Sequence, residues 1–194
     1  QKLEEYPDYK IKNEIMGDPL GEGEQLITEE LLKSMTIENL VMEDHKNERN
    51  TGRARGVVAG IDWGGGGIEG TSRTVLSIYA VHPDRQKFTK IFGKIYDSGE
   101  PSKHIQDIIY WVHRFQVTSI YGDHGGGNFA LSQLSAGLPH VQIVPVMYTD
   151  QAAPYKWDEK ARRFTVSRTT MIDNFILDIK KGRVQTVRWE DFKP

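Results

Sequence analysis

Two apolar runs in this chain end the same way. "VVAGID", residues 57–62, stops at Asp62 and is followed by Trp63 and four glycines; "VTSIYGD", residues 117–123, stops at Asp123 and is followed by His124 and three glycines. Short apolar runs rich in β-branched residues and closed by glycine read as strands buried inside a sheet. An acid at the carboxyl end of such a strand stands where open α/β sheets bind their ligands. Whatever else the chain does, its fold has to account for both aspartates.

The remaining pattern is mixed. "RTVLSIYAV" and "KFTKIFGKIYD" flank "HPDRQ", whose Pro-Asp pair makes a turn, so the two runs form an antiparallel hairpin. "SKHIQDIIYWVHRF" places Ile105, Ile108, Ile109, Val112 and Phe115 on one helical face. "NFALSQLSAG" reads as a short helix ended by Gly137, and "HVQIVPVMY" as a strand. "RTTMIDNFILDIKKGRV" reads as a second amphipathic helix with Ile172, Phe175, Ile176 and Ile179 inward and Lys180, Lys181 and Gly182 at its end. The order β-β-β-α-β-α-β-α defines an α/β class with a mixed central sheet and helices on both faces.

Residues 1–55 differ from the rest of the chain. "QKLEEYPDYKIKNEIMGDPLGEGEQ" has few regular apolar positions, and "EDHKNERNTGRARG" is charged and turn-rich. Between them "ITEELLKSM" predicts a short helix with Thr28 as N-cap. The division expected is an extended arm over 1–55 and one folded domain over 56–194. A start at Gln1 rather than methionine suggests a fragment or a processed product.

Composition narrows the function classes. The chain has 194 residues, 38% hydrophobic and 27% charged, enough for one domain with a true core. No cysteine is present, which excludes disulfides and thiolate metal sites. No apolar run is long enough to span a bilayer, and no secretory signal is visible. A net charge of -2 lacks the bulk basic signature of many nucleic-acid binders, so any such partner needs a local patch or a metal.

The β-β-β-α-β order puts the first strand beside the fourth and makes Asp62 and Asp123 neighbours. Two adjacent carboxylates repel and shift each other's pKa. A hard divalent cation, Mg²⁺ or Mn²⁺, relieves that repulsion with oxygen ligands. Two such ions about 3.5–4 Å apart can hold a phosphodiester, activate water and stabilise the leaving oxygen. Gly64–Gly67 and Gly125–Gly127 then let a bulky backbone approach, and turn amides, Gly125 and Gly126 among them, can meet phosphate oxygens. The plainer reading of each aspartate is a turn former or helix cap. His124 reads as a phosphate contact or a surface histidine rather than a metal ligand. For a nucleic-acid backbone the densest basic stretch is Lys156, Lys160, Arg162, Arg163 and Arg168 around Trp157, in "YKWDEKARRFTV", which could form a hairpin near the acids. Its plainer reading is a solvated charged loop, and Arg53 and Arg55 are a weaker candidate. Nothing in these residues promises base readout.

The strand order, "GIDWG" and "YGDHGG" resemble the RNase H-like fold, and specifically the nuclease domain of phage terminase large subunits. "YKIKNEIMGDPLGEGEQLITEELLKSM" is similar to that family's segment between ATPase and nuclease domains, and "FTVSRTTMIDNFILDIKKGRV" to the helix after its fifth strand. The resemblance implies a metal-dependent endonuclease of a DNA packaging motor. It would cut concatemeric double-stranded DNA with Mg²⁺ or Mn²⁺, alongside a portal protein and a small terminase subunit, in the host cytoplasm at the procapsid portal. Carried over, Asp62 matches the family's first metal-binding aspartate and Asp123 its second. The third lies further downstream in the family, in a helix near a run of the Asp-Asp-x-x-His-Ala type that this chain does not contain. Asp173 is the candidate in its place, against a reading as an acid favoured by the helix dipole. No Walker A motif is present, so ATP enters only through an ATPase domain outside this sequence. Two other readings compete. One is an actin- or Hsp70-like nucleotide-binding module, for which the two aspartate loops lie too close in sequence. The other is a non-catalytic RNase H-like docking module.

Overall fold

The structure is a computed structural model that describes residues 27–37, 56–64, 73–82, 87–96, 104–149 and 155–186. The strands are β1 (Gly56–Asp62), β2 (Thr74–Val81), β3 (Phe88–Tyr96), β4 (Ser119–Asp123), β5 (Gln142–Thr149), β6 (Tyr155–Asp158), β7 (Arg163–Ser167) and β8 (Val184–Thr186). The helices are α1 (Glu29–Met35), α2 (Ile105–Arg114), α3 (His124–Gly137) and α4 (Arg168–Lys180). These strands join one mixed sheet in the order β6-β7-β5-β4-β1-β2-β3-β8.

The sheet grows outward from β1, whose burial alternates because Val57, Ala59 and Ile61 share one face. β1 pairs antiparallel with β2 and parallel with β4. The expected β2–β3 hairpin forms; its turn residues lie outside the described residues. A register shift opposite Ile78 and Tyr79 lets consecutive Ile91 and Phe92 both be buried. β4, β5 and β7 continue parallel, so β1, β4, β5 and β7 all end at the same edge.

Helices cover both faces. Ile105, Ile108 and Val112 of α2, with Phe115 just beyond it, join Ala130, Leu131 and Leu134 of α3 and the Val57–Ala59–Ile61 face in one core. The stripe read in the sequence is therefore the buried one; Ile109 packs at its margin. Phe92 and Trp111 stack with ring centroids 4.2 Å apart within this core. On the other face Met35 of α1, Ile179 of α4 and Val184 of β8 form a second cluster. Register assigns the faces: Val184 pairs with Phe88, Phe88 with Val81 and Val81 with Gly56, which alternates with Val57. Thr28 caps α1 as expected, its hydroxyl accepting from Leu31 N at 3.3 Å. The rest of the arm lies outside the described residues. Among the described residues no helix is long and apolar enough to cross a membrane.

Three local expectations need correction, while the predicted end of α4 holds. α3 begins at His124, so the glycines after Asp123 form its first turn rather than a preceding loop. The hairpin read in "YKWDEKARRFTV" forms as the antiparallel pair β6–β7, but its strands join the main sheet and β8 follows α4, so the chain has more strands than the predicted order. α4 stops at Lys180 and Gly182 takes a left-handed φ of 65°, the helix end read in the sequence. Ile172 and Phe175 do not face the core; they are 40% and 41% exposed, while Asp173 is buried with Ile176 and Ile179. The inward stripe of α4 is thus rotated toward positions 173, 176 and 179, because the helix leans on α1 and β8.

Candidate active site

The parallel pairing of β1 and β4 matches Gly60 with Tyr121 and Ile61 with Gly122. The next residue on each strand is an aspartate. Paired positions on adjacent strands point to the same face, so Asp62 and Asp123 leave the sheet edge side by side. Their neighbours hold them there. Trp63 is buried directly after Asp62, and Gly64 N donates to the Thr74 hydroxyl at 3.0 Å, tying the chain beyond β1 to the start of β2. Asp123 Oδ1 accepts from Gly125 N at 3.1 Å as the strand turns into α3.

Two glycines flank Asp123. A Cβ on Gly122 would lie 2.6 Å from Leu131 Cδ2, so a side chain there would force the buried Leu131 side chain to move. A Cβ on Gly125 would make ordinary van der Waals contact with the Asp123 carboxylate, 3.5 and 3.6 Å from its oxygens.

Asp62, Asp123 and Gly125 line an open hollow of about 590 Å³ with Met147, Tyr148, Arg168, Met171 and Ile172. Asp62 keeps an exposed side, yet the crowded strand ends remove enough water to push its carboxyl upward. The Asp123 charge pushes it further, and the Arg168 guanidinium opposes both. The Tyr148 phenol is pushed up by burial and then by the charges of Asp123 and Asp62, again against Arg168. The guanidinium carbon of Arg168 lies 5.9 Å from the centre of the Tyr148 ring.

The basic stretch read in the sequence divides. Arg168 joins the acids, whereas Lys156, Lys160 and Arg163 line a second hollow of about 620 Å³ with Trp157, Asp158, Glu159, Thr149 and Thr165. Met147 lines both hollows. Register puts Met147, Thr165 and Lys156 on one face of the β5-β7-β6 corner, and Trp157 and Phe164 on the opposite one, with rings edge to face at 5.0 Å. Arg162 is exposed in the hairpin turn with φ 49°. At this second hollow Arg163 Nε and Thr149 Oγ1 are buried polar atoms without a hydrogen-bond partner among the described residues. His124 is half-buried at the start of α3, outside the lining of the acid hollow, and Gly126 lies within the same first turn. Asp173 is buried on α4, also outside that lining, and among the described residues no third histidine or acid joins Asp62 and Asp123 in a cluster able to hold a metal.

Tyr148, Met147 and Met171 were not singled out by the sequence reading, and Ile172 was read only as a core position. The signal for Tyr148 was its place at the end of the run predicted as the next strand. A strand neighbouring β4 in parallel must end beside Asp123, as the Asp123–Val146 pairing confirms.

Two carboxylates on one face, one of them with its pKa raised by burial and then by the other's charge, are oxygen donors of the kind a hard divalent cation takes. The class that fold and site define is an α/β sheet of RNase H-like type with an acid pair at its carboxyl edge. Among solved structures the fold is shared with nuclease domains of terminase large subunits. That of the thermophilic phage G20c superposes with TM-score 0.53 at 12% identity, over 84% of this chain and 74% of that one. That of P22 gives 0.52 at 10% identity, over 85% and 73%. That of human cytomegalovirus, in a manganese-soaked, inhibitor-bound form, gives 0.50 at 10% identity, over 84% and 76%. No family model and no curated protein matches the sequence.

Proposed function

We propose that the chain is a metal-dependent DNA endonuclease of a viral genome-packaging motor, cutting concatemeric double-stranded DNA by phosphodiester hydrolysis. The observation that carries the reading is the emergence of Asp62 and Asp123 together from the ends of adjacent parallel strands. The fold shared with terminase nucleases, one of them described with bound magnesium, supports it. Asp62 and Asp123 would hold the cation. When bound, it supplies Lewis acidity to the phosphodiester and to the attacking water.

The chain's own residues do the rest. Gly125 presents no side chain beside the Asp123 carboxylate. Arg168 offers the hollow a permanent positive charge for a phosphate, and Met171 and Ile172 form an apolar wall that suits the sugar face. Lys156, Lys160 and Arg163 would track the flanking backbone, a sequence-independent contact. Portal protein and small terminase subunit, at the procapsid portal in the host cytoplasm, are the partners and place this reading implies. Any ATP dependence would come through a separate ATPase domain.

The test is plasmid cleavage with Mn²⁺ by the full chain and by Asp62→Asn and Asp123→Asn. Cleavage by the unaltered chain, lost by at least a hundredfold in each variant, is expected on the order of other single catalytic groups. Undiminished cleavage by either variant rejects the assignment. Absence of carboxylate-dependent Mn²⁺ binding in calorimetry would instead favour the docking module.

A further inference from the structure

Among the described residues, Arg168 is the one cationic side chain lining the acid hollow, and its position is not explained by helix stability. It is the first residue of α4, directly after the N-cap Ser167, whose hydroxyl accepts from Thr170 N at 3.4 Å. A cation there opposes the helix dipole, and the first turn of α4 carries no acid to offset it. The side chain lies instead against the Tyr148 ring, and its field reaches both Asp62 and the Tyr148 phenol. A ring face holds a guanidinium by cation–π attraction while leaving its N–H donors free.

We propose that Arg168, seated on Tyr148, is the resident counter-ion of the acid pair, and that a divalent cation enters the hollow against it. The proposal rests on the acids being the metal site and adds what sets their affinity. An arginine cannot give up its charge as the metal approaches, because the guanidinium stays protonated throughout the working range of a protein. It therefore lowers the affinity of the carboxylates for any cation that shares them. A phosphate backbone in the hollow gives Arg168 a second anion to face, which releases that opposition. Metal and nucleic acid should consequently strengthen each other's binding, by the same factor in each direction. Arg168 is in this account a positioning residue for charge and phosphate, not a group that exchanges a proton.

The experiment is calorimetric titration of the full chain with Mn²⁺ alone, without DNA. Arg168→Gln keeps a planar group over the ring without the charge; Arg168→Ala is the second neutral variant, and Arg168→Lys retains the charge. Both neutral variants are expected to bind Mn²⁺ about tenfold tighter than the unaltered chain, a unit charge acting on a divalent ion across several ångströms of water-like medium. Arg168→Lys should bind as the unaltered chain does, and the gain in the neutral variants should shrink as salt is raised. Loss of a merely structural residue would loosen the site, so weaker or equal Mn²⁺ binding by folded Arg168→Gln overturns the proposal. Asp62→Asn and Asp123→Asn separate the two layers. If they abolish binding while the Arg168 variants leave it unchanged, the counter-ion role alone fails. If they bind as the unaltered chain does, the metal-site reading fails and this proposal with it.

Discussion

Replacing Asp62 by asparagine should stabilise the metal-free protein at pH 7 and leave it unchanged at about pH 3. Neighbouring strands lie about 4.8 Å apart, so two carboxylates on paired positions sit roughly 5 Å from each other. Unit charges at that separation repel by about 0.8 kcal/mol in water-like surroundings, the right medium for a side chain as exposed as Asp62. Burial, the largest cause of the raised carboxyl, acts in the same direction and Arg168 in the opposite one, so the Coulomb repulsion sets the scale at about 1 kcal/mol. The sign follows from linkage. The carboxyl of Asp62 is raised in the folded state, so its contribution is complete below the unfolded pKa and is lost as pH climbs through the folded one. Asparagine stays neutral and has nothing to lose, so the gap between variant and parent opens across that window. For a domain of this size 1 kcal/mol corresponds to about 2–4 °C in Tm. Calorimetric melting with a chelator present, at the two pH values, measures it. An equal shift at both pH values, or none at pH 7, refutes the repulsion. Mn²⁺ at a hundred times its dissociation constant should reverse the ranking, stabilising the parent alone by about 2.7 kcal/mol.

Gly122→Ala should cost about 1–3 kcal/mol in urea unfolding, because its methyl meets Leu131 Cδ2 at 2.6 Å inside the core. Combining it with Leu131→Ala should cost less than the sum of the two single changes, since the second removes the atom that the first strikes. Asp107→Ala should cost about 1 kcal/mol at pH 7. Its Oδ2 accepts from Lys94 Nζ at 2.8 Å, Tyr96 OH at 2.7 Å and Trp111 Nε1 at 3.1 Å, on a half-exposed carboxylate. Burial pushes that carboxyl up, but the bonds from Lys94 and Tyr96 outweigh it and hold it below its ordinary range. Denaturant melts at decreasing pH should therefore show the penalty fading as pH falls through the lowered value.

The central fold could be read in the sequence where one physical cue decided each element. β1 and β4 announced themselves as apolar runs closed by glycine, and α2 as an uninterrupted stripe ending at Phe115. The pairing of Asp62 with Asp123 followed from strand order alone. Elements that depend on tertiary partners were less visible. β8 has three residues, too few to display alternation, and exists because β3 offers it an edge. The helical start at His124 contradicts local propensity, since three consecutive glycines disfavour helix and are carried by packing of Ala130, Leu131 and Leu134. α4 misled because Met171, Ile172 and Phe175 are as apolar as its buried residues. Only the position of α1 and β8 decides that Asp173 turns inward and Ile172 outward. The basic residues were found as one run, and their separation into two hollows depends on hairpin register, which composition does not encode.

The edge where β7, β5, β4 and β1 end together arranges its side chains in an order that has consequences for binding. From one side to the other stand Arg168, Tyr148, Asp123 and Asp62; Lys156 lies back from this edge on β6, level with Thr165, and Arg163 at the amino end of β7. A phosphate backbone laid along this edge is attracted at the β7 end and repelled at the β1 end. Net charge does not help, since the whole chain carries -2. On the proposed reading, the acids without a cation would oppose the phosphate that Arg168 attracts, and a phosphodiester would be kept away from the carboxylates. A divalent cation shared by Asp62 and Asp123 would cancel that repulsion locally and extend the attractive field across the edge. Under the proposed function, the order of charges along four parallel strands makes cation loading a condition for the backbone to settle over the acids.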